Sequence, residues 1–121
     1  MRPPPNAIFT NLPILQKTTD AYKLWHNALP HIPKLVKYSL GEKINVLFTD
    51  VIELLLTAGF ASKEQKLVVV QKASIKLDVL KFFLQVAWEL KALSNKQFSE
   101  LSQSLVEVGK MLGGWQRQLT K

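Results

Sequence analysis

The chain has 121 residues, a length that suits one domain with a single hydrophobic core. It contains no cysteine, so disulfides, thiolate metal ligands and a cysteine nucleophile are excluded. Its 16 lysines and arginines outnumber its 9 acidic residues, and the net charge of +7 favours an anionic partner such as nucleic acid, an acidic protein surface or a lipid headgroup layer. A lysine-rich surface that serves only solubility is the alternative.

The beginning of the chain differs from the rest. Residues 1–10 contain three prolines and no hydrophobic periodicity, which predicts a flexible proline-rich arm before a helical domain at residues 11–121. Met1-Arg2 leads directly into Pro3-Pro4-Pro5 without an apolar signal region, and no uninterrupted run of about 18 apolar residues follows. We therefore expect a cytoplasmic protein that does not enter a membrane.

The first two helices are predicted from their apolar spacing and end signals. Helix one begins behind Asn11 as its N-cap, has Pro13 in its first turn, and ends before Pro30. Its inward stripe consists of Ile14, Thr18, Ala21, Trp25 and Ala28. Helix two begins with a capping box formed by Ser39 and Glu42, and Gly59 is its predicted stop. Its inward residues are Leu40, Ile44, Leu47, Val51, Leu55 and Ala58.

The third and fourth helices are longer. Helix three is predicted over about residues 62–93, and a second capping box, Ser94 to Gln97, opens helix four. Because short loops between long helices favour antiparallel neighbours, the fold predicted is an all-α, up-down-up-down four-helix bundle. No strand alternation or hairpin signal competes with it.

Helix four contains three glycines, Gly109, Gly113 and Gly114, beside Trp115. An apolar seam nevertheless continues through them without a slip, at Phe98, Leu101, Leu105, Val108, Leu112, Trp115 and Leu119. We therefore interpret Gly109 and Gly113 as packing residues that admit another backbone or a tryptophan ring, and predict that Gly113→Leu loses the fold or assembly. The alternative is a C-cap at Gly113-Gly114 followed by a frayed tail.

Helix three is apolar on more than one side. One stripe holds Val70, Leu77, Leu84 and Trp88; another, well over 100° away, holds Val68, Ile75, Val79, Phe82 and Val86. A surface helix of a bundle normally needs one apolar stripe. The second stripe is covered either by a second protomer, with Phe82 and Phe83 as anchors, or by the protomer's own neighbouring helices.

Basic residues recur at helical spacing. Lys96, Lys110 and Arg117 fall at seven-residue multiples opposite the helix-four seam, with Lys121 near the same line, and Lys72 and Lys76 lie one turn apart on helix three. Such stripes suit contacts with phosphates, and an ordinary solvated face is the alternative. No aromatic residue is interleaved along the helix-four stripe, so binding would be electrostatic and weakly selective for sequence.

Enzyme motifs are missing from the sequence: there is no P-loop, no GxGxxG and no nucleophile elbow. His26 and His31, the two histidines, are predicted surface residues, and no Glu-x-x-His pair of a di-iron bundle is present. We expect a non-enzymatic protein without cofactor or metal. A small-ligand site, or a carboxylate metal site at Glu42, Asp50 and Glu53, is the alternative.

The segment Gly109-Lys110-Met111-Leu112-Gly113-Gly114-Trp115 resembles the C-terminal signature of Avd, the accessory variability determinant family of diversity-generating retroelements. Pro33-Lys34 and Tyr38-Ser39-Leu40-Gly41 are similar to that family's entry to helix two, and Lys66, Leu77 and Leu80-Lys81 to its third helix. The resemblance covers about residues 14–121.

This resemblance implies a ring-like homo-oligomer, a homopentamer, that binds the retroelement's reverse transcriptase and template RNA or cDNA to support mutagenic cDNA synthesis. The relatives often carry arginine at the places of Lys81 and Gln85; Lys81 keeps the charge and is a predicted partner contact, whereas Gln85 departs from the pattern. The wider family includes proteins encoded by 23S rRNA intervening sequences. The alternative function is therefore an interaction module of that type, without a reverse transcriptase.

Overall fold

The computed structural model describes residues 12–121, in which the regular secondary structure is entirely helical. The four long helices are α1 (Pro13–Ala28), α2 (Glu42–Phe60), α3 (Lys63–Glu89) and α4 (Asn95–Leu119). The predicted arm at residues 1–10 and the predicted cap Asn11 lie outside the described residues. Across residues 12–121, none of the helices combines the length and hydropathy that a membrane span requires.

The four helices form one bundle. α1 packs against α2 and α4, and α3 packs against the same two helices from the other side. The connections at residues 61–62 and 90–94 are so short that each reverses the direction of the chain. The predicted all-α four-helix bundle is therefore confirmed for the protomer.

The core is built from the predicted stripes. Every member of the helix-one stripe is buried, and so are all predicted inward residues of helix two except Leu40, which is partly buried. Trp25 is completely buried and stacks on Phe48, with ring centroids 6.4 Å apart. The indole Nε1 of Trp25 finds no hydrogen-bond partner among the described residues. Packing alone therefore holds this large ring in place.

The entry to α2 differs from the prediction, because Ser39 does not cap a helix. One helical turn at Lys34–Val36 begins directly behind Pro33 and continues through a wider π-helical turn, Lys37–Gly41, into α2. The hydroxyl of Ser39 donates to the carbonyl of Leu35 at 2.8 Å, a bond made inside a helix. The capping box predicted from Ser39 and Glu42 is wrong, because the helical path already begins at Lys34 with Pro33 at the N-cap position.

Two predicted helix ends also shift. α2 runs through Gly59 to Phe60, and Gly59 does not take a positive φ, so the predicted glycine stop is wrong. α3 ends at Glu89, ahead of the predicted residue 93, because Lys91 adopts a left-handed conformation with φ of 64°. The amide of Ala92 then bonds the carbonyl of Ala87 at 2.9 Å, which closes a Schellman motif.

The start of α4 agrees with the prediction. The amide of Gln97 donates to the hydroxyl of Ser94 at 3.1 Å, and the amide of Ser94 donates to the side-chain oxygen of Gln97 at 2.9 Å. Both halves of the predicted capping box are thus formed. This cap fixes where α4 leaves the tight connection and hence its register along α3.

Replacing Lys91 with glycine is expected to stabilise the bundle by about 0.5–1 kcal/mol, because glycine removes the β-carbon that disfavours a positive φ. Urea unfolding measures this as a higher midpoint with an unchanged m-value. Lys91→Ala is the matched control: it removes the same charge and keeps the β-carbon, so no gain is expected. Equal gains in both variants would assign the effect to charge and contradict the backbone argument.

Candidate nucleic-acid interface

A shallow groove of about 390 Å³ runs between α3 and α4. Its lining comes from both helices: Ser74, Leu77, Asp78 and Lys81 from α3, and Val106, Gly109, Lys110, Gly113 and Arg117 from α4. The packing of α3 on α4 thus brings Lys81 to the stripe that holds Lys110 and Arg117, from which it is distant in the sequence. We call this feature the α3/α4 groove.

The glycines form part of the lining within an unbroken helix. α4 extends from Asn95 to Leu119, so the alternative of a C-cap at Gly113-Gly114 is wrong. A β-carbon at Gly109 would meet the Leu77 side chain at 3.6 Å and Lys81 Nζ at 3.9 Å, which are ordinary contact distances. A β-carbon at Gly113 would meet, within 4 Å, only Nη1 of Arg117 at 3.5 Å, among the described residues.

The predicted close approach of a backbone or tryptophan ring to Gly109 and Gly113 is therefore wrong within the protomer. The physical reason is the position of both residues at the rim of the α3–α4 contact, beside side-chain ends and solvent. Trp115 is partly buried and packs against the core near the first turn of α1, away from the two glycines. Each interior glycine nevertheless disfavours the helix by about 1 kcal/mol relative to alanine.

The cations of the groove differ in their partners. Lys81 Nζ lies 3.6 Å from the carboxylate of Asp78, one turn earlier on α3, and that carboxylate is largely exposed. Lys110 and Arg117 are exposed, and within residues 12–121 neither has a carboxylate within 4.0 Å. The groove therefore holds three cations and one carboxylate, an arrangement that suits an anion with several oxygen acceptors.

The other predicted partner-binding cations do not line the groove. Lys76 reaches across to α2 and pairs with Asp50 at 3.2 Å, so its charge is largely matched inside the protomer. Lys72, Lys96 and Lys121 are exposed elsewhere on the surface. Asp50 is also one of the three carboxylates of the alternative metal site. Within residues 12–121, however, no group of three or more histidine, aspartate or glutamate side chains is arranged to hold a metal ion.

A second surface feature is an exposed apolar row on α3, formed by Val68, Ile75 and Phe82. Their exposed fractions are 50%, 65% and 60%, so the neighbouring helices of the protomer do not cover them. Phe82 contacts the partly buried Phe83 edge to face, with centroids 5.5 Å apart. The alternative that the protomer itself covers this side of α3 is wrong for these three residues.

A family model described as bAvd-like matches residues 12–119. The chain belongs to the bAvd-like family. The matched range of this bAvd-like chain includes all four helices and every residue of the α3/α4 groove. This agrees with the resemblance to Avd proteins of diversity-generating retroelements that the glycine-rich segment of α4 carries. A comparison with curated proteins finds no match.

Gln85, the residue at which the resemblance to Avd leads us to expect an arginine, is exposed and does not line the groove. Its side-chain amide donates to Glu89 at 3.0 Å on the same helix. Asp78 was missed by the sequence reasoning. Its three-residue spacing from Lys81 could have identified it, because residues so spaced on a helix are neighbours.

Proposed function

We propose that the protein is a non-catalytic accessory subunit of a diversity-generating retroelement, which binds the reverse transcriptase and nucleic acid during mutagenic cDNA synthesis. The observation that carries this proposal is the bAvd-like match over the whole four-helix bundle. The groove supports its nucleic-acid part, because Lys110 and Arg117 are exposed cations without a carboxylate partner in the described chain.

The mechanism is electrostatic scaffolding. Lysine and arginine bind phosphate as donors with fixed positive charge, and such contacts select nucleic acid with little regard to its sequence. A template strand held on this surface stays near the polymerase between nucleotide additions. The chemistry of cDNA synthesis belongs to the reverse transcriptase in this scheme.

Self-association is the second part of the proposal. The exposed row Val68, Ile75 and Phe82 is apolar and contains an aromatic anchor, both of which are typical of the buried centre of a protein interface. Contacts between copies through this row would build the ring, a homopentamer, that the resemblance implies. Each additional copy adds a groove, so weak contacts with one long strand combine into tight binding.

Affinity purification of the tagged protein from its native cells, with and without nuclease, tests the function. Recovery of a reverse transcriptase that resists nuclease is the expected result, since the contact is between proteins. Recovery of ribosomal components, or of no polymerase, would instead favour the interaction module of the rRNA intervening-sequence type. A variant with the apolar row changed, Phe82→Glu, separates partners that need the assembled form from those that bind one protomer.

A further inference from the structure

The glycines of α4 lack a role inside the protomer. Gly109 and Gly113 weaken the helix that contains them, yet a β-carbon at either position would meet only ordinary contacts within 4 Å. Both line the α3/α4 groove, whereas Gly114 does not. The missing side chains therefore allow the cationic ends of Lys81 and Arg117 to lie close to the backbone of α4.

Two cationic side chains lie over these glycines. Nζ of Lys81 lies 3.9 Å from the place of a β-carbon on Gly109, and Nη1 of Arg117 lies 3.5 Å from that on Gly113. Since the two glycines are four residues apart, the cationic groups lie over successive helical turns, about 6 Å along the axis. A larger residue at either position would occupy the space between cation and helix.

We propose that the α3/α4 groove binds the phosphodiester backbone of a single-stranded nucleic acid, and that Gly109 and Gly113 are retained to let Lys81 and Arg117 lie low against α4. Arg117 presents a planar fork that matches two phosphate oxygens, and Lys81 and Lys110 add point charges to the same groove. A single strand suits a groove between two helices because its flexible backbone can bend into it. This inference rests on the nucleic-acid part of the proposed function.

Template RNA and cDNA both have a phosphodiester backbone, so either strand could occupy the groove. The carboxylate of Asp78 competes with either one for Lys81, at 3.6 Å. A rival role for the glycines is a close helix contact between two copies of the chain. If the glycines form such a contact, replacing them should change the oligomeric state. If they serve the groove, the oligomeric state should stay the same.

The test compares Gly113→Leu with Ser99→Leu. Both place a leucine on α4, but Ser99 is exposed and does not line the groove. Gly114 is unsuitable as the control, because a β-carbon there would also meet the Arg117 guanidinium, with Nη2 at 3.8 Å. Binding is measured with fluorescein-labelled oligouridylate and oligodeoxythymidylate of equal length, molar mass by light scattering, and the melting temperature by calorimetry. Because leucine favours the helix and a β-carbon at Gly113 meets only an ordinary contact, neither variant is expected to melt below the unmodified protein. This expectation replaces the loss of fold or assembly that the sequence predicts for Gly113→Leu.

For Gly113→Leu we expect an affinity lower by about tenfold for the better-bound oligonucleotide, an unchanged molar mass, and retained co-purification of the reverse transcriptase. Ser99→Leu is expected to bind as the unmodified protein does. The better-bound strand identifies RNA or DNA as the source of the phosphate.

Full affinity in Gly113→Leu, equal losses in both variants, or a changed molar mass in Gly113→Leu would each overturn the groove proposal. Absence of binding by the unmodified protein would overturn the nucleic-acid part of the proposed function together with it. If the unmodified protein binds oligonucleotide but no reverse transcriptase co-purifies with it, only the retroelement role is contradicted.

Discussion

Reversing the charge of Lys110 and Arg117 together is expected to remove most of the protein's affinity for single-stranded nucleic acid while the bundle remains folded. Both side chains are exposed and have no carboxylate partner within residues 12–121, so their replacement by glutamate breaks no described ion pair. Each phosphate contact on a single strand contributes roughly 0.7 to the slope of log affinity against log salt. Loss of two contacts per protomer should therefore flatten that slope by about 1.4.

The measurement is fluorescence anisotropy over a series of salt concentrations, with circular dichroism to verify the helical fold. Lys23→Glu combined with Lys43→Glu is the matched control, because it makes the same change in net charge at exposed positions outside the groove and outside the predicted basic stripes. A much smaller loss is expected there. Equal losses in the two double variants would show that net charge alone governs binding and would remove the α3/α4 groove from the mechanism.

Replacing Phe82 with glutamate is expected to separate the proposed assembly into protomers of 13.7 kDa. The ring of Phe82 is 60% exposed, so its loss affects the protomer core little. At an interface the same change places a charge among apolar contacts, and truncating such an aromatic anchor alone typically weakens association by about 2 kcal/mol or more, roughly 30-fold. In a ring every protomer would lose the contact with its neighbour.

Light scattering over a range of concentrations checks this result, and urea unfolding at low concentration checks the fold. Val46→Glu is a suitable control, since Val46 is 50% exposed on α2 and lies outside the apolar row. An assembly that survives Phe82→Glu unchanged would exclude this row as the interface. An unmodified protein that is monomeric at every concentration would exclude the ring itself.

Much of the fold could be predicted because its determinants are local. The stripe of α1 follows from helical spacing, and the capping box of Ser94 and Gln97 needs only four consecutive residues. The same motif gives a wrong prediction at Ser39, because the helical path already begins behind Pro33. The end of α3 was missed because Lys91, rather than a glycine, adopts the left-handed conformation that stops the helix.

The candidate site depends on the register between helices, which periodicity does not provide. Sequence spacing marked Lys110 and Arg117 as one stripe, but only the packing of α3 on α4 adds Lys81 to them. Similarly, helical spacing marks Lys76 as a predicted partner contact but does not show its ion pair with Asp50 on α2. The sequence correctly predicts that Gly109 and Gly113 lie inside a helix. It does not show that side chains of Leu77, Lys81 and Arg117, rather than a backbone or a tryptophan ring, lie beside them.

The long helix α3 has three separate surfaces: a buried side in the core, a wall of the groove, and the exposed apolar row. A helix used on three sides has few positions at which substitution is neutral, although many of its residues are in contact with solvent. Among its exposed polar residues, Gln71 and Gln85 belong to none of these surfaces. We therefore expect natural substitutions in α3 to concentrate at such positions. The solvent exposure of a residue in this helix should be a poor guide to whether it tolerates mutation.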